Sequence, residues 1–219
     1  MEDRELITLW KAQNEKLERS LSINRKLLEE TIHLKAHNAL IPLKRLKTGG
    51  IVAFVLYLIV LGYVLYYAVS NYSSAATYFI VSMSAIALIN LKGFSDYVKH
   101  LVWANTIDYD GPVTAIQQRL YKLQLSILSH ARTMVLQLPF WTTFHLSNSW
   151  FPQNVGLPYI LFQITLTSTF TFLAYWLYKN QTVENLDKKW LQKLIAGSGG
   201  KSVAKALVLY KELEEFKHE

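Results

Sequence analysis

The chain has 219 residues, of which 51% are hydrophobic, 13% aromatic and only 18% charged, with a net charge of +7 and no cysteine. A composition this apolar argues against one or two soluble domains, and the missing cysteine excludes disulfides, thiolate metal sites and thiol catalysis within the chain. The excess positive charge flanks long uncharged blocks, where lysine and arginine set membrane orientation, so direct nucleic-acid binding is not expected.

Residues 1–47 form the first region. Glu2 to about Ala39 reads as one long amphipathic helix: acidic residues fill its first turn and no glycine or proline interrupts it. Leu6, Trp10, Leu17, Leu21, Leu27 or Leu28, and Leu34 recur at helical spacing. On a heptad frame the a positions are Asp3, Trp10, Leu17, Asn24 and Thr31. The d positions are Leu6, Gln13, Ser20, Leu27 and Leu34, with Ile7, Leu21 and Leu28 widening the stripe at e. The stripe suits either a parallel coiled coil whose Asn24 sets the register, or docking onto other helices or a protein partner. Gln13, Ser20 and Thr31 make a poor zipper, so docking through Leu6, Trp10, Leu17, Leu21 and Leu28 is the favoured expectation. Pro42 is expected to break the helix before the basic cluster Lys44, Arg45 and Lys47. The charged start has no early apolar run, so no secretory signal peptide is expected.

Residues 48–92 form a hydrophobic hairpin. No Asp, Glu, Lys or Arg lies between Lys47 and Lys92. Gly49 to Ser70 is long enough, at ~1.5 Å per residue, to cross a hydrocarbon core of ~30 Å. A second span is expected from about Ser74 to Leu91. Positive charge sits at the open end of this hairpin and none at its turn, which places the N-terminus in the cytoplasm.

Residues 93–127 are expected to make a cytoplasmic helical hairpin, with one helix from Phe94 to about Ile107 and a turn at Asp108-Tyr109-Asp110-Gly111-Pro112. From Pro112 the stripe Val113, Ile116, Leu120, Leu123, Ile127 and Ala131 leads into the next span without a breaker.

Residues 128–178 hold the second uncharged block, between Arg132 and Lys179. The third span, about Leu128 to Leu146, has His130 and Arg132 in its first turns and Pro139 in its middle. It fits a kinked helix whose arginine reaches the headgroups, or a re-entrant segment. The fourth span, about Leu157 to Tyr178, ends in the aromatic-plus-lysine sequence Tyr175-Trp176-Leu177-Tyr178-Lys179. Lys44, Arg45, Lys47, Arg132 and Lys179 are the expected membrane-interface residues.

Residues 179–219 are expected to hold two short cytoplasmic helices, one with the stripe Val183, Leu186, Trp190 and Leu194, the other with Val203, Leu207, Tyr210 and Leu213. The linker is Gly197-Ser198-Gly199-Gly200. Gly199-Gly200-Lys201-Ser202 lacks the earlier glycine and the preceding strand of a phosphate-binding loop. His33 and His37 share a helix face at a spacing able to hold a metal, but solvated histidines are the expectation. His130, Arg132, Gln137 and His145 could line an ion path, yet no acidic residue lies in a span to pair with them. No catalytic residue, cofactor or metal site is expected, and the chain does not read as an enzyme.

The opening Leu9-Trp10-Lys11-Ala12-Gln13-Asn14-Glu15-Lys16-Leu17-Glu18, followed by Asn24-Arg25-Lys26-Leu27-Leu28, resembles small membrane proteins of Bacteroidota encoded beside extracytoplasmic-function sigma factors. The resemblance covers the N-terminal helix and the general layout. It implies an anti-sigma-like regulator with a sigma factor as partner. The histidine and paired cysteines of zinc-type anti-sigma factors are absent here.

The expected fold class is therefore all-α: a polytopic membrane protein of the bacterial inner membrane with four transmembrane helices, a cytoplasmic helical bundle and both termini in the cytoplasm. The expected function is a regulator or scaffold that binds a cytoplasmic protein. A small homo-oligomeric channel or transporter is the alternative.

Overall fold

The computed structural model describes the backbone of residues 2–109 and 111–218 and the side chains of residues 7–109 and 111–213. Those residues are helical with turns between, and no strand occurs among them. Asp110 and the side chain of Leu6 lie outside the described part.

Helix α1, Glu2–Ser70, is a single helix of 69 residues, ~100 Å long at ~1.5 Å per residue. Pro42 lies inside it and does not end it. A proline there removes the hydrogen bond to the Asn38 carbonyl and costs ~3 kcal/mol. The helix persists because Ala39, Leu40 and Leu43, on either side of the break, are buried in the largest core.

At Asn71 both the backbone and the side-chain amide donate to the Tyr67 carbonyl, closing α1. A 3-10 turn at Ser74–Ala76 leads into α2, Thr77–Asn105. The helix expected to start at Phe94 is the continuation of α2, which passes straight through Gly93. A Cβ on Gly93 would come within 2.8 Å of the Met134 methyl and 3.3 Å of the Phe54 ring, so glycine lets three elements close on one another.

Helix α3, Val113–Met134, follows Pro112, and α4 spans Leu157–Asn180. The chain between them departs from the expected continuous third helix. After Met134 it breaks into 3-10 turns at Val135–Gln137 and Phe140–Thr142, with further turns up to Asn154. Pro139 has no N–H to give, and the Thr142 and Thr143 hydroxyls donate to the carbonyls of Pro139 and Phe140. Local side-chain bonds of this kind compete with the helical ladder.

This broken segment runs the length of the apolar part of α2. Asn90 Nδ2 donates to Gln137 Oε1 at 3.0 Å, the Ser82 and Thr143 hydroxyls are 2.8 Å apart, and the Tyr78 and Phe151 rings are 6.1 Å apart. Helix α4 covers its other side, where Gln163 Nε2 donates to the Thr142 carbonyl at 2.6 Å. Among the described residues three helices, α1, α2 and α4, are long and apolar enough to cross a membrane.

The remaining mass is a bundle of α1, the end of α2, α3 and α6 (Gly200–His218). Ile32, Leu40 and Leu43 meet Ala104, Ile107, Ile116, Leu120, Leu123 and Ile127, and α6 adds Val203, Ala206, Tyr210 and Leu213. The second stripe expected in the tail thus packs as α6. The first holds in part: Leu186 and Trp190 pack against the cluster that α5, Lys189–Ala196, forms by burying Leu191 and Ile195 against Leu128 and Ala131, while Val183 and Leu194 stay exposed. The glycine linker is a tight corner. Gly199 takes φ +93°, a region that favours glycine, with its backbone against the Leu43 side chain.

Candidate functional site

Two features stand apart from ordinary packing. The first is the free end of α1. Trp10, Leu17 and Leu21 are 71%, 58% and 59% exposed, and Leu28 is the first residue of the expected docking set to reach the core. Ile7, Leu9, Ile23 and Leu27 are exposed as well. The bundle ends near Leu28, so about 26 residues of α1 project ~39 Å beyond it at ~1.5 Å per residue.

The second is a buried polar junction where α1, α2 and α3 meet at the edge of the apolar hairpin. Lys47, the last charged residue before the first apolar run, is fully buried and lies over the Tyr97 ring. Gly50, one turn on, admits that ring, because a Cβ at Gly50 would collide with it. From α2, Asp96 takes a 2.5 Å ion pair from Lys92 Nζ and lies 3.4 Å from His130 Nδ1 of α3. His100 is buried one turn beyond Asp96, with Nε2 3.0 Å from the Ser126 hydroxyl. The His100 and His130 rings stand edge to face at 5.9 Å, and Tyr97 tilts onto His130 at 5.1 Å.

Burial pushes the Lys47 ammonium down from 10.5 to about 8, against the opposing pull of the Asp96 carboxylate. Burial also drives His100 down to about 3, helped by the positive charge of Lys47, so its imidazole is neutral at ordinary pH. Tyr97 is pushed up by burial alone. The junction therefore combines two ammonium groups, one carboxylate and neutral imidazoles in a largely dry setting. Such a set can take up or release a proton at a cost shared by three helices.

The other sequence-derived residues scatter. Arg45 and Lys179 are exposed and Lys44 is half-buried, whereas Lys47 points inward to the junction. Arg132 stacks on Tyr178 with its guanidinium carbon 4.1 Å from the ring centroid. His145 is exposed, and Gln137 accepts from Asn90. His33 and His37 each meet a tyrosine edge-on, Tyr210 at 5.7 Å and Tyr109 at 5.3 Å. Among the described residues no group of three His, Cys, Asp or Glu is placed to hold a metal ion.

Asp96, Tyr97 and His100 were not singled out from the sequence, and Asp96 supplies the acidic partner that His130 was expected to lack. The signal was present: Lys92, Asp96 and His100 fall on one face at i, i+4 and i+8, and Ser126 and His130 repeat the spacing on α3. Compared with protein family models, curated proteins and solved structures, the chain matches none.

Proposed function

We propose that this chain is an integral membrane scaffold or regulator of the bacterial inner membrane, with both termini cytoplasmic, that holds a protein partner through the projecting end of α1. Four crossings suit the contacts: α1, α2 and α4 as helices, and the broken segment 135–156 between α2 and α4, where non-helical backbone is shielded by protein. That layout puts the bundle and the free end of α1 in the cytoplasm, with Arg45 and Lys179 at the headgroups. The carrying observation is the exposure of Trp10, Leu17 and Leu21 on a helix end that no other described residue covers. Apolar residues in such a row are rarely left to water without a partner. The resemblance of the opening to anti-sigma-like proteins makes a sigma factor the candidate.

Purification of the full chain from membranes in mild detergent tests this, with probing for a co-purifying sigma factor. Trp10→Asp with Leu17→Asp should release it without disturbing the bundle, since both side chains lie outside the core. Equal recovery with wild type and double variant would refute the reading.

A channel or small transporter is the second reading, favoured by one observation: the broken segment starts next to a buried cluster of ionisable groups. Flux through liposomes that depends on Arg132 or His145 would support it.

A further inference from the structure

The face of α1 that is buried in the bundle continues past the end of the bundle. Lys47, Leu43, Ala39, Ala36 and Ile32 are buried, and stepping on by three or four residues gives Leu28, Asn24, Leu21, Leu17, Asn14, Trp10 and Ile7. From Ile7 to Leu28 the steps alternate strictly, three then four, which is the spacing of a coiled-coil seam. In this frame Ile7, Asn14, Leu21 and Leu28 are a positions and Trp10, Leu17 and Asn24 are d positions. Gln13 and Ser20 move off the seam to g.

We propose that the projecting end of α1 pairs with the same segment of a second copy of this chain as a parallel two-stranded coiled coil. The inference rests on the reading of this stripe as a protein-binding face, and gives the seam to a second copy, the protein partner being held by the paired helices. Two chains inserted in one membrane send α1 out in the same direction, so the pairing is parallel. Asn14 at an a position faces Asn14 of the second copy, an arrangement that favours two strands in a single register.

The flanks permit it. Across such a dimer Gln13 at g meets Glu18 at e, and Ser20 meets Arg25, so no like charges are forced together. The side chains on this face frame shallow, open grooves at the spacing a knob would fill. Ile7, Trp10, Lys11 and Asn14, spaced i, i+3, i+4 and i+7, line a cleft of about 290 Å³. Trp10, Gln13, Asn14 and Leu17 line a second, of about 480 Å³. Three heptads are marginal for peptides free in solution, but confinement to one bilayer in one orientation raises the effective concentration. Leu9 and Ile23 remain on the outside of the pair, open to a further partner.

The natural chain has no cysteine, so single cysteines can report the pairing in membranes of intact protein. Under mild oxidation L17C and L21C, on the seam, should give a disulfide-linked dimer. A12C and R19C, on the outer face, should give none, because their Cβ atoms are too far apart to bridge. No dimer at any position, or equal yield at all four, would overturn the proposal. As a second measurement, the mass of the detergent-solubilised full chain should be that of a dimer, falling to a monomer with W10D and L21D together. A monomeric wild type that still carries a sigma factor would refute the pairing and leave the scaffold reading standing. A dimer that carries no sigma factor would do the reverse.

Discussion

The ammonium of Lys47 lies 3.6 Å from the centroid of the Tyr97 ring, fully buried and with no hydrogen bond to a described residue. The ring face offers a desolvated cation some attraction, and Asp96 offers a counter-charge at longer range. Neither replaces water, which is why the proton on Lys47 is held loosely. One lysine, two residues before the first apolar run, thereby joins α1 to α2.

The pH dependence of stability follows from that joint. The folded value of Lys47, about 8, lies below its ordinary 10.5. Between those two pH values the unfolded chain keeps a proton that the folded chain has released. Stability should therefore rise with pH across this window. Lys47→Met should remove the rise and be more stable than wild type at pH 7 by on the order of 1–3 kcal/mol. Thermal unfolding in detergent, followed by circular dichroism from pH 7 to 10, checks both. Parallel curves for the two proteins would show that Lys47 is not the titrating group.

His100 should act at the acid end. Its folded value of about 3 lies below the ordinary 6.5, so the unfolded chain gains a proton first as the solution is acidified. Stability is then lost progressively as pH falls from 6.5 towards 3. His100→Gln retains a polar group for Ser126 without the proton, and its thermal midpoint should fall less than that of wild type over the same range.

Asp96 is the only carboxylate among the described groups at the junction, facing Lys92, His130 and, at longer range, Lys47. Asp96→Asn keeps the shape and removes the charge. Lys92 is half-exposed and can turn to water, but Lys47 cannot. A loss of about 3–5 kcal/mol is expected, the range for stranding a buried partner. Combining Asp96→Asn with Lys47→Met should recover most of it, and a double-mutant cycle by chemical denaturation measures how much.

Gly49 and Gly50 are neighbours on α1 with opposite surroundings. A Cβ on Gly49 meets nothing within 4 Å, while one on Gly50 collides with the Tyr97 ring. Gly49→Ala should be neutral or stabilising by up to ~1 kcal/mol through helix propensity. Gly50→Ala should cost about 1–3 kcal/mol by forcing the ring away from Lys47. The thermal midpoint of Gly50→Ala should fall while that of Gly49→Ala holds or rises.

The parts of this molecule that were legible in the sequence share one property: they follow from periodicity or from runs without charge. The α6 stripe, the α3 stripe and the two helices of the first uncharged block appear in the structure as read, whereas the second block gives a long helix only at α4. Pro42 misled because its local cost is outweighed by Leu40 and Leu43 packing against helices distant in sequence, a tertiary effect that no local rule contains. The continuity of α2 through Gly93 was likewise not legible, since the contact that this glycine admits is with Met134, distant in sequence. The junction was half legible. The i, i+4 spacing of Asp96 and His100 could be seen, but not that Lys47 and His130 would close over them.

Gln163 was invisible as a functional residue, a lone amide in an apolar helix, yet it is buried and holds the break in the third segment. Its Nε2 donates to the Thr142 carbonyl at 2.6 Å and to the Thr167 hydroxyl at 3.2 Å. That carbonyl lies outside any regular helix, so without Gln163 it would face apolar surroundings with one partner fewer. Gln163→Leu keeps the volume and should cost about 1–3 kcal/mol, the desolvation cost of an unpaired buried acceptor. Gln163→Glu should do worse, since its carboxylate can accept but not donate to the carbonyl unless it is protonated. Cysteine accessibility supplies a second readout. A cysteine at Thr143, packed against Ser82 in the intact fold, should react slowly with a maleimide and faster once Gln163→Leu loosens the segment. Equal rates in both backgrounds would mean that the 3-10 turns hold without this side chain.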